Sequence, residues 1–341
     1  LANLKVTLDS GPAYRIGPVQ VTGNRNFDQE QVARIARLPA GAGYDQSQLV
    51  AAQQRLSDSG LFDSAYVTLD TSADPRAAPV IVQVREARLQ KIVLGVGGST
   101  DSGLRLSMEH THHKVPGIDW KAVTKLSLDR TTRSLGTELT SPPDNTGTRW
   151  VTSVLLQRQT SGSFEVWSQR YRLGRAQSGD KVDRNYYLQY DRAEDSAGNF
   201  SSTANALTAN YAWAQRNFDS LPFPSAGYGL GAEVGGGATL GDTHQPFFRA
   251  QVRWLGLWTP GAARPGSRAA ARNARVALRA EGGMVLARAG VDLPSTQLFL
   301  TGGDTSVRGY GYRSIGSELP DGTTAAGRYL ATGSVEWQRP I

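Results

Sequence analysis

The chain contains no cysteine. That excludes disulfide staples, thiol nucleophiles and Cys-ligated metal centres. It also lacks any run approaching the roughly 18 apolar residues that a membrane-spanning helix requires. Histidine is scarce: there are four, three of them in His110-Thr111-His112-His113. His110 and His112 would share one strand face, but no carboxylate stands at a spacing that completes a metal site. The cluster reads as polar residues at a strand end, next to Val115-Pro116-Gly117, and His244 falls in a short loop. No nucleotide-binding motif occurs, and no Ser, His and acid stand out as a triad. The expectation is a protein without catalytic residues, cofactor or metal. No secretory leader pattern stands at Leu1, and Leu4 to Asp9 resembles the last strand of a preceding domain entered midway.

What is present points to β-structure. Glycine is high, at 38 of 341 residues. The mean hydropathy of −0.38 suits a soluble protein, and equally a β-barrel in which half of each strand faces a polar interior. The net charge is +7 and the pI about 9.7, which invites a nucleic-acid reading. The arginines, however, do not form a patch. Arg249, Arg253, Arg275 and Arg279 recur at alternating strand positions, on one face of a sheet, so a basic lumen fits better than a nucleic-acid surface.

Residues 13–87 read as a small αβ domain. Tyr14 to Val21 alternates and ends at Thr22-Gly23-Asn24. Asp28 with Gln31 matches a capping box, followed by Val32, Ile35 and Ala36 at helical spacing. Pro39 to Gly43 should break that helix. Asp45 and Gln48 repeat the capping pattern ahead of Leu49, Ala52 and Leu56, and Gly60 suits a C′ position. Strands at Ala65–Asp70 and Pro79–Glu86 complete a β-α-α-β-β order. The domain is either a spacer or a docking module whose sheet edge accepts an extended peptide.

From Leu89 onward, alternating segments are divided by turn residues. Strands are expected at 89–99, 103–114, 119–130, 133–141, 148–160, 163–177, 184–194, 203–216, 226–240, 246–258, 272–286 and 327–339. Phe248, Ala250, Val252, Trp254 and Trp258 share one face, against Arg249, Gln251 and Arg253. Val276, Leu278 and Ala280 oppose Arg275, Arg279 and Glu281. Tyr329, Ala331, Val335 and Trp337 oppose Arg328, Thr332, Ser334 and Glu336. An apolar face ending in Trp and Tyr suits a lipid-facing band with an aromatic girdle. The one long connection, 287–326, carries Thr-Gly-Gly-Asp-Thr-Ser-Val-Arg-Gly-Tyr-Gly-Tyr-Arg at 301–313.

Gly302 to Gly316 closely resembles the signature loop of the BamA-related POTRA-plus-barrel family, which inserts or translocates proteins at bacterial outer membranes. Within it, the chain resembles most the TamA branch, the outer-membrane subunits of the translocation and assembly module. Ser59 to Ala65 resembles the second helix-to-strand passage of a POTRA domain. Asp219 to Pro224 with Gly227 resembles the turn before the family's ninth strand. Arg328-Tyr329-Leu330 and Val335-Glu336-Trp337 resemble the strand after the signature loop.

The resemblance implies an α+β POTRA domain at 13–87, in the periplasm, after the end of another POTRA domain at 1–12. It implies an antiparallel transmembrane β-barrel in the Gram-negative outer membrane from 88 to 341, holding the first twelve of sixteen strands. Gly302, Gly303, Asp304, Val307, Arg308, Gly309, Tyr310, Gly311 and Tyr312 form the signature loop. Arg308 would pin it inside the barrel, with Glu336, Glu281 or Asp304 as partner; Gly309 and Gly311 would allow a tight path, and Tyr310 and Tyr312 would pack there. Leu89, Ile92, Leu94, Gly95, Gly97 and Gly98 would form the lateral gate strand, weakened by its glycines. The implied partners are a TamB-like inner-membrane-anchored subunit, unfolded outer-membrane protein or autotransporter substrates, and outer-membrane lipids, with no nucleic acid. The implied function is assembly of autotransporter-type barrels by strand pairing at a lateral seam. Two alternatives are a two-partner-secretion-type pore exporting a protein through the lumen, and a passive diffusion channel.

Overall fold

In the computed structural model of the chain, the described residues are 12–99, 102–161, 164–179, 181–197, 200–220, 223–241, 244–260, 274–303, 306–318, 322 and 324–339. The strand expected at Leu4 to Asp9, and Asp304, lie outside them. Two compact units are present, divided near Gln90.

The smaller unit runs β1 (Ile16–Thr22), α1 (Gln29–Ala36), α2 (Gln46–Asp58), β2 (Phe62–Leu69) and β3 (Ala78–Glu86). Its sheet order is β1-β3-β2, with β1 parallel and β2 antiparallel to the central strand. The apolar stripes of both helices close one core with the sheet: Val32, Ile35, Leu49 and Leu56 meet Ile16, Val80 and Val82. Phe27 and Phe62 meet edge to face, with centroids 5.9 Å apart. The Asp28 carboxylate caps α1 by accepting from the Gln31 N–H at 2.6 Å, as the sequence pattern requires.

Three details differ from expectation. Helix α1 stops at Ala36, ahead of Pro39, because Arg37 turns left-handed at φ 49° and its N–H closes on the Ala33 carbonyl. Asp45 caps α2 through the Ser47 N–H, not through Gln48. Strand β2 begins at Phe62, three residues before the expected start, because a register shift between Phe62 and Ser64 extends its pairing to Glu86.

The larger unit is a single twelve-stranded antiparallel sheet. Its strands are β4 (Gln90–Ser99), β5 (Gly103–His112), β6 (Lys121–Leu128), β7 (Thr132–Thr140), β8 (Thr148–Ser161), β9 (Phe164–Ser178), β10 (Val182–Ala197), β11 (Phe200–Phe218), β12 (Gly227–Thr239), β13 (Pro246–Trp258) and β14 (Arg275–Ala287), with a last strand at Tyr329–Gln338. The 287–326 connection is itself folded. It holds a 3-10 turn at Ser295–Gln297 and a ribbon of β15 (Ser317–Glu318) and β16 (Thr324–Ala325), so the last strand is β17. Strands neighbour one another in chain order, with β4 at one edge and β17 at the other. The sheet is thus open among the described residues, and the expectation of a barrel is met only as far as this sheet. All twelve expected segments coincide with strands. The β10–β11 hairpin is longer than expected, pairing from Val182↔Gln215 to Ala197↔Phe200.

Period-two alternation sorts the side chains onto two faces. One register row runs Trp150, Arg175, Tyr186, Tyr211, Val234, Ala250, Met284, Tyr329 across eight strands. Leu188, Phe248, Val252, Trp258, Val335 and Trp337 lie exposed on the same side. The opposite face carries Arg170, Asp191, Glu233, Arg249, Glu281 and Glu336.

Candidate functional site

The 287–326 connection crosses the polar face as a strap. Its start is fixed by Arg328, whose guanidinium donates to the carbonyls of Ala287, Arg288 and Val291. Phe299 then packs with Phe247, Val285 and Leu293 in a small apolar cluster. Gly283 makes room for it: a Cβ there would stand 2.5 Å from the Phe299 ring. The Arg249 guanidinium covers that ring at 5.0 Å. Single β-bridges, Phe299 with Gly327 and Thr301 with Ile315, hold the strap's backbone.

Beyond that cluster the strap engages the wall on several strands. The Thr296 hydroxyl and Gln297 amide donate to Asp191 on β10 at 3.1 and 2.6 Å. The Ser295 hydroxyl donates to Asp195 at 2.6 Å. Arg249 on β13 donates to the Gln297 carbonyl at 3.1 Å. Gln159 on β8 donates to the Tyr312 hydroxyl at 2.8 Å, and the Ser161 hydroxyl reaches the Tyr312 and Arg313 carbonyls.

The signature residues occupy the far end of the strap. Arg308 lies 3.1 Å from Glu336 on β17, so the structure brings these two candidates together. The same carboxylate takes a 2.6 Å bond from Arg279. Glu281 is held by Arg253 at 2.9 Å and Gln251 at 2.6 Å. Gly302 and Gly303 have φ of +116° and +102°, and Val307 is half-buried. Two expectations need correction. The tight passage is at Gly302, where a Cβ would stand 2.5 Å from the Gly311 carbonyl; Gly309 faces open space and is needed for its φ of +88°. Tyr312 engages the wall, but Tyr310, at the tip of the turn, is 59% exposed.

The polar face is also not freely basic. Arg170 pairs with Asp191, Arg249 with Glu233, Arg253 with Glu281 and Arg279 with Glu336, all within 2.9 Å. Each arginine meets an acid from the neighbouring strand, so the expected basic lining is largely counter-charged. Sequence reasoning missed Asp191, Arg170, Thr296 and Gln297. The available signal was an acid on the polar face in mid-strand, flanked by Tyr190 and Arg192.

The second feature is the β4 edge. Ile92, Leu94 and Val96 are exposed, as is nearly the whole strand on both faces. A Cβ at Gly97 would meet nothing, and one at Gly95 would meet only the Ser107 hydroxyl at 2.5 Å, so no aromatic covers these glycines. Leu89 departs from expectation: it precedes β4 and packs against the core of the smaller unit, where its side chain loses contact with water. The histidines stand as two kinds. His110 and His112 meet edge to face at 6.5 Å, while His113 is buried.

The Omp85 superfamily domain matches residues 95–341. The chain belongs to the Omp85 superfamily. The POTRA family, described as a surface antigen variable number repeat, matches residues 14–87, where the Omp85 sheet is preceded by the smaller unit. Among solved structures, this Omp85 chain is similar to BamA from Haemophilus ducreyi lacking POTRA domains 1-3, with a TM-score of 0.69 and 17% identity over 98% of this chain and 69% of that one. It is also similar to CdiB from Acinetobacter baumannii, with a TM-score of 0.57 and 14% identity over 96% of this chain and 61% of that one. At such identities the likeness concerns the fold. The chain spans between three fifths and seven tenths of the length of these two.

Proposed function

We propose that this Omp85 chain is part of an outer-membrane assembly factor of the TamA branch, with its POTRA domain in the periplasm. In this reading the sheet is the main part of a transmembrane barrel. Its first strand opens at a lateral seam and templates incoming strands of autotransporter-type barrel proteins. The observation that carries the reading is the make-up of β4: an exposed first strand that Gly95 and Gly97 leave loosely packed, beside a polar face already occupied by the strap. A strand weakened by interior glycines parts from a neighbour at low cost and can accept another strand by hydrogen bonding alone. No covalent chemistry, nucleotide or cofactor is required. The working partners are a TamB-like inner-membrane-anchored subunit, unfolded barrel substrates and outer-membrane lipids.

The alternative is a two-partner-secretion-type pore passing a protein along the polar face. A cavity of about 490 Å³, lined by Arg216, Arg253, Arg279, Glu281 and Ser306, favours it. A passive diffusion channel is disfavoured by the strap across that face.

The absence of native cysteine allows a direct test in the full-length protein. Single cysteines at Gln90 to Ser99 should crosslink, register by register, to the terminal strand of a stalled autotransporter barrel in cells. Crosslinks confined to polar-face positions near Arg308 would replace the insertase with the export pore.

A further inference from the structure

We propose that Arg175 and Arg184 form a binding site for the phosphate of an anionic phospholipid in the periplasmic leaflet; this rests on the transmembrane reading and orientation given above. Both arginines lie on the sheet face that carries the apolar band. Arg175 stands near the end of β9 and Arg184 near the start of β10. Because the strands reverse at each connection, this is the end of the sheet at which β4 also begins. Arg175 is opposite Tyr186 and Arg184 opposite Gln177, so the two arginines are diagonal neighbours. Such neighbours lie about 7–8 Å apart, a span that one phosphate bridges with a guanidinium on either side.

Aromatic rings frame the pair. The Arg175 guanidinium stands over the Trp150 ring at 5.6 Å. Tyr186 and Tyr211 stack with centroids 4.8 Å apart, and Trp213 is the register partner of Arg184 on β11. Rings of this kind sit at the level of lipid headgroups. Leu173 and Leu188 are register partners on the same face. They are 51% and 54% exposed and continue that face toward the bilayer centre as a bed for acyl chains.

Charge decides the kind of lipid. Asp183, next to Arg184 in the chain, points to the opposite face, where Arg216 holds it. Arg184 is exposed and, among the described residues, forms no ion pair. A guanidinium has five N–H donors, so the contacts that Arg175 makes to its neighbours leave donors for a further acceptor. At this end of the face no described residue of β8 to β11 is acidic. At the far end, by contrast, Arg158 and Arg192 meet Glu165 and Glu194 at 2.7 and 2.6 Å. A zwitterionic headgroup would bring an ammonium with no carboxylate to meet it. A headgroup of net negative charge brings only the phosphate that two neighbouring cations attract.

The test uses the full-length protein in detergent and native mass spectrometry, with dioleoylphosphatidylglycerol or dioleoylphosphatidylethanolamine added at equal concentration. The unaltered protein should hold the glycerol lipid roughly tenfold more tightly, as a charge-assisted fork on phosphate implies. Arg175→Gln with Arg184→Gln should cut that preference to about twofold or less, with heat-modifiable migration retained. Arg133→Gln, on the same face at the far end of β7, should leave it unchanged. If the double variant fails to migrate as folded, Arg175→Lys with Arg184→Lys decides: it keeps both charges, removes the planar forks and should lower the preference about threefold.

Equal retention of both lipids by the unaltered protein, a preference that survives the deciding double variant, or one that Arg133→Gln abolishes would each overturn the assignment. Displacement of the bound lipid by inorganic phosphate would overturn it in favour of a site for soluble anions. Resistance of the full-length protein to carbonate extraction from vesicles checks the transmembrane reading separately. No lipid preference with that resistance kept sinks the site alone; extraction of the protein sinks both.

Discussion

Glu86 shows how one side chain organises a whole turn. Its carboxylate accepts from the backbone N–H groups of Arg25, Asn26 and Phe27 at 2.7 to 3.1 Å, and from the Asn26 side chain at 2.6 Å. Burial works to raise its pKa, and these donors together outweigh burial, so the carboxyl titrates below its ordinary value of 4.5. A depressed folded-state pKa means a contribution fully present above the unfolded value and lost as pH falls through the folded one. Protection of the Arg25 to Phe27 amides, relative to their intrinsic exchange rates, should therefore be high at neutral pH and fall once pH drops below about 4.5. Glu86→Ala should destabilise the POTRA domain by about 2 kcal/mol in urea unfolding. Protection factors that stay unchanged across that pH range would contradict this account. The Asp28 cap was legible in the sequence because donor and acceptor lie three residues apart. The Glu86 turn was not, since its partners are about sixty residues away and meet only once β3 has paired. Asp191 was hidden for the same reason, its strap partners lying 105 and 106 residues on.

At the scale of elements, strand alternation transferred almost intact from sequence to sheet, because a one-residue slip would reverse both faces. Strand ends were less legible, as at Leu89 and the β10–β11 hairpin, because packing and not alternation decides where pairing stops. The glycines separate into classes that sequence alone merges. A Cβ at Gly174 would stand 2.1 Å from the Tyr186 carbonyl, whereas one at Gly97 would meet nothing. Gly97→Val should thus fit without strain and stiffen β4, since an interior glycine costs a strand about 0.5–1 kcal/mol relative to alanine. On the insertase reading proposed above, insertion kinetics should slow while thermal stability holds or rises. Faster insertion would contradict a role for β4 flexibility. Gly174→Ala should do the reverse, lowering stability with no selective effect on the seam.

For the whole molecule, the decisive relation is between the sheet and the strap lying over its polar face. In planar bilayers the full-length protein should show small, intermittent conductance. Excising 295–313 should raise it several-fold, because the segment that contacts β8, β10 and β13 is gone. Equal conductance before and after excision would mean that the strap does not obstruct the interior. The signature motif made this connection recognisable from sequence, yet its path along the wall depends on Phe299, Gly283 and Arg249, which no motif links.

The strictly sequential strand order also sets a timetable. Each strand from β5 to β14 can pair with its predecessor as soon as it emerges, so the sheet can be laid down hairpin by hairpin with short loop closures. The strap is different, because its contacts with β8 and β10 span more than a hundred residues and cannot form until β14 is in place. A chain halted before Pro294 would leave Asp191 and Asp195 without their strap donors. Such an arrested chain would hold Asp191 by Arg170 and Gln189 of the wall alone, so the seated strap and not the sheet marks a finished chain.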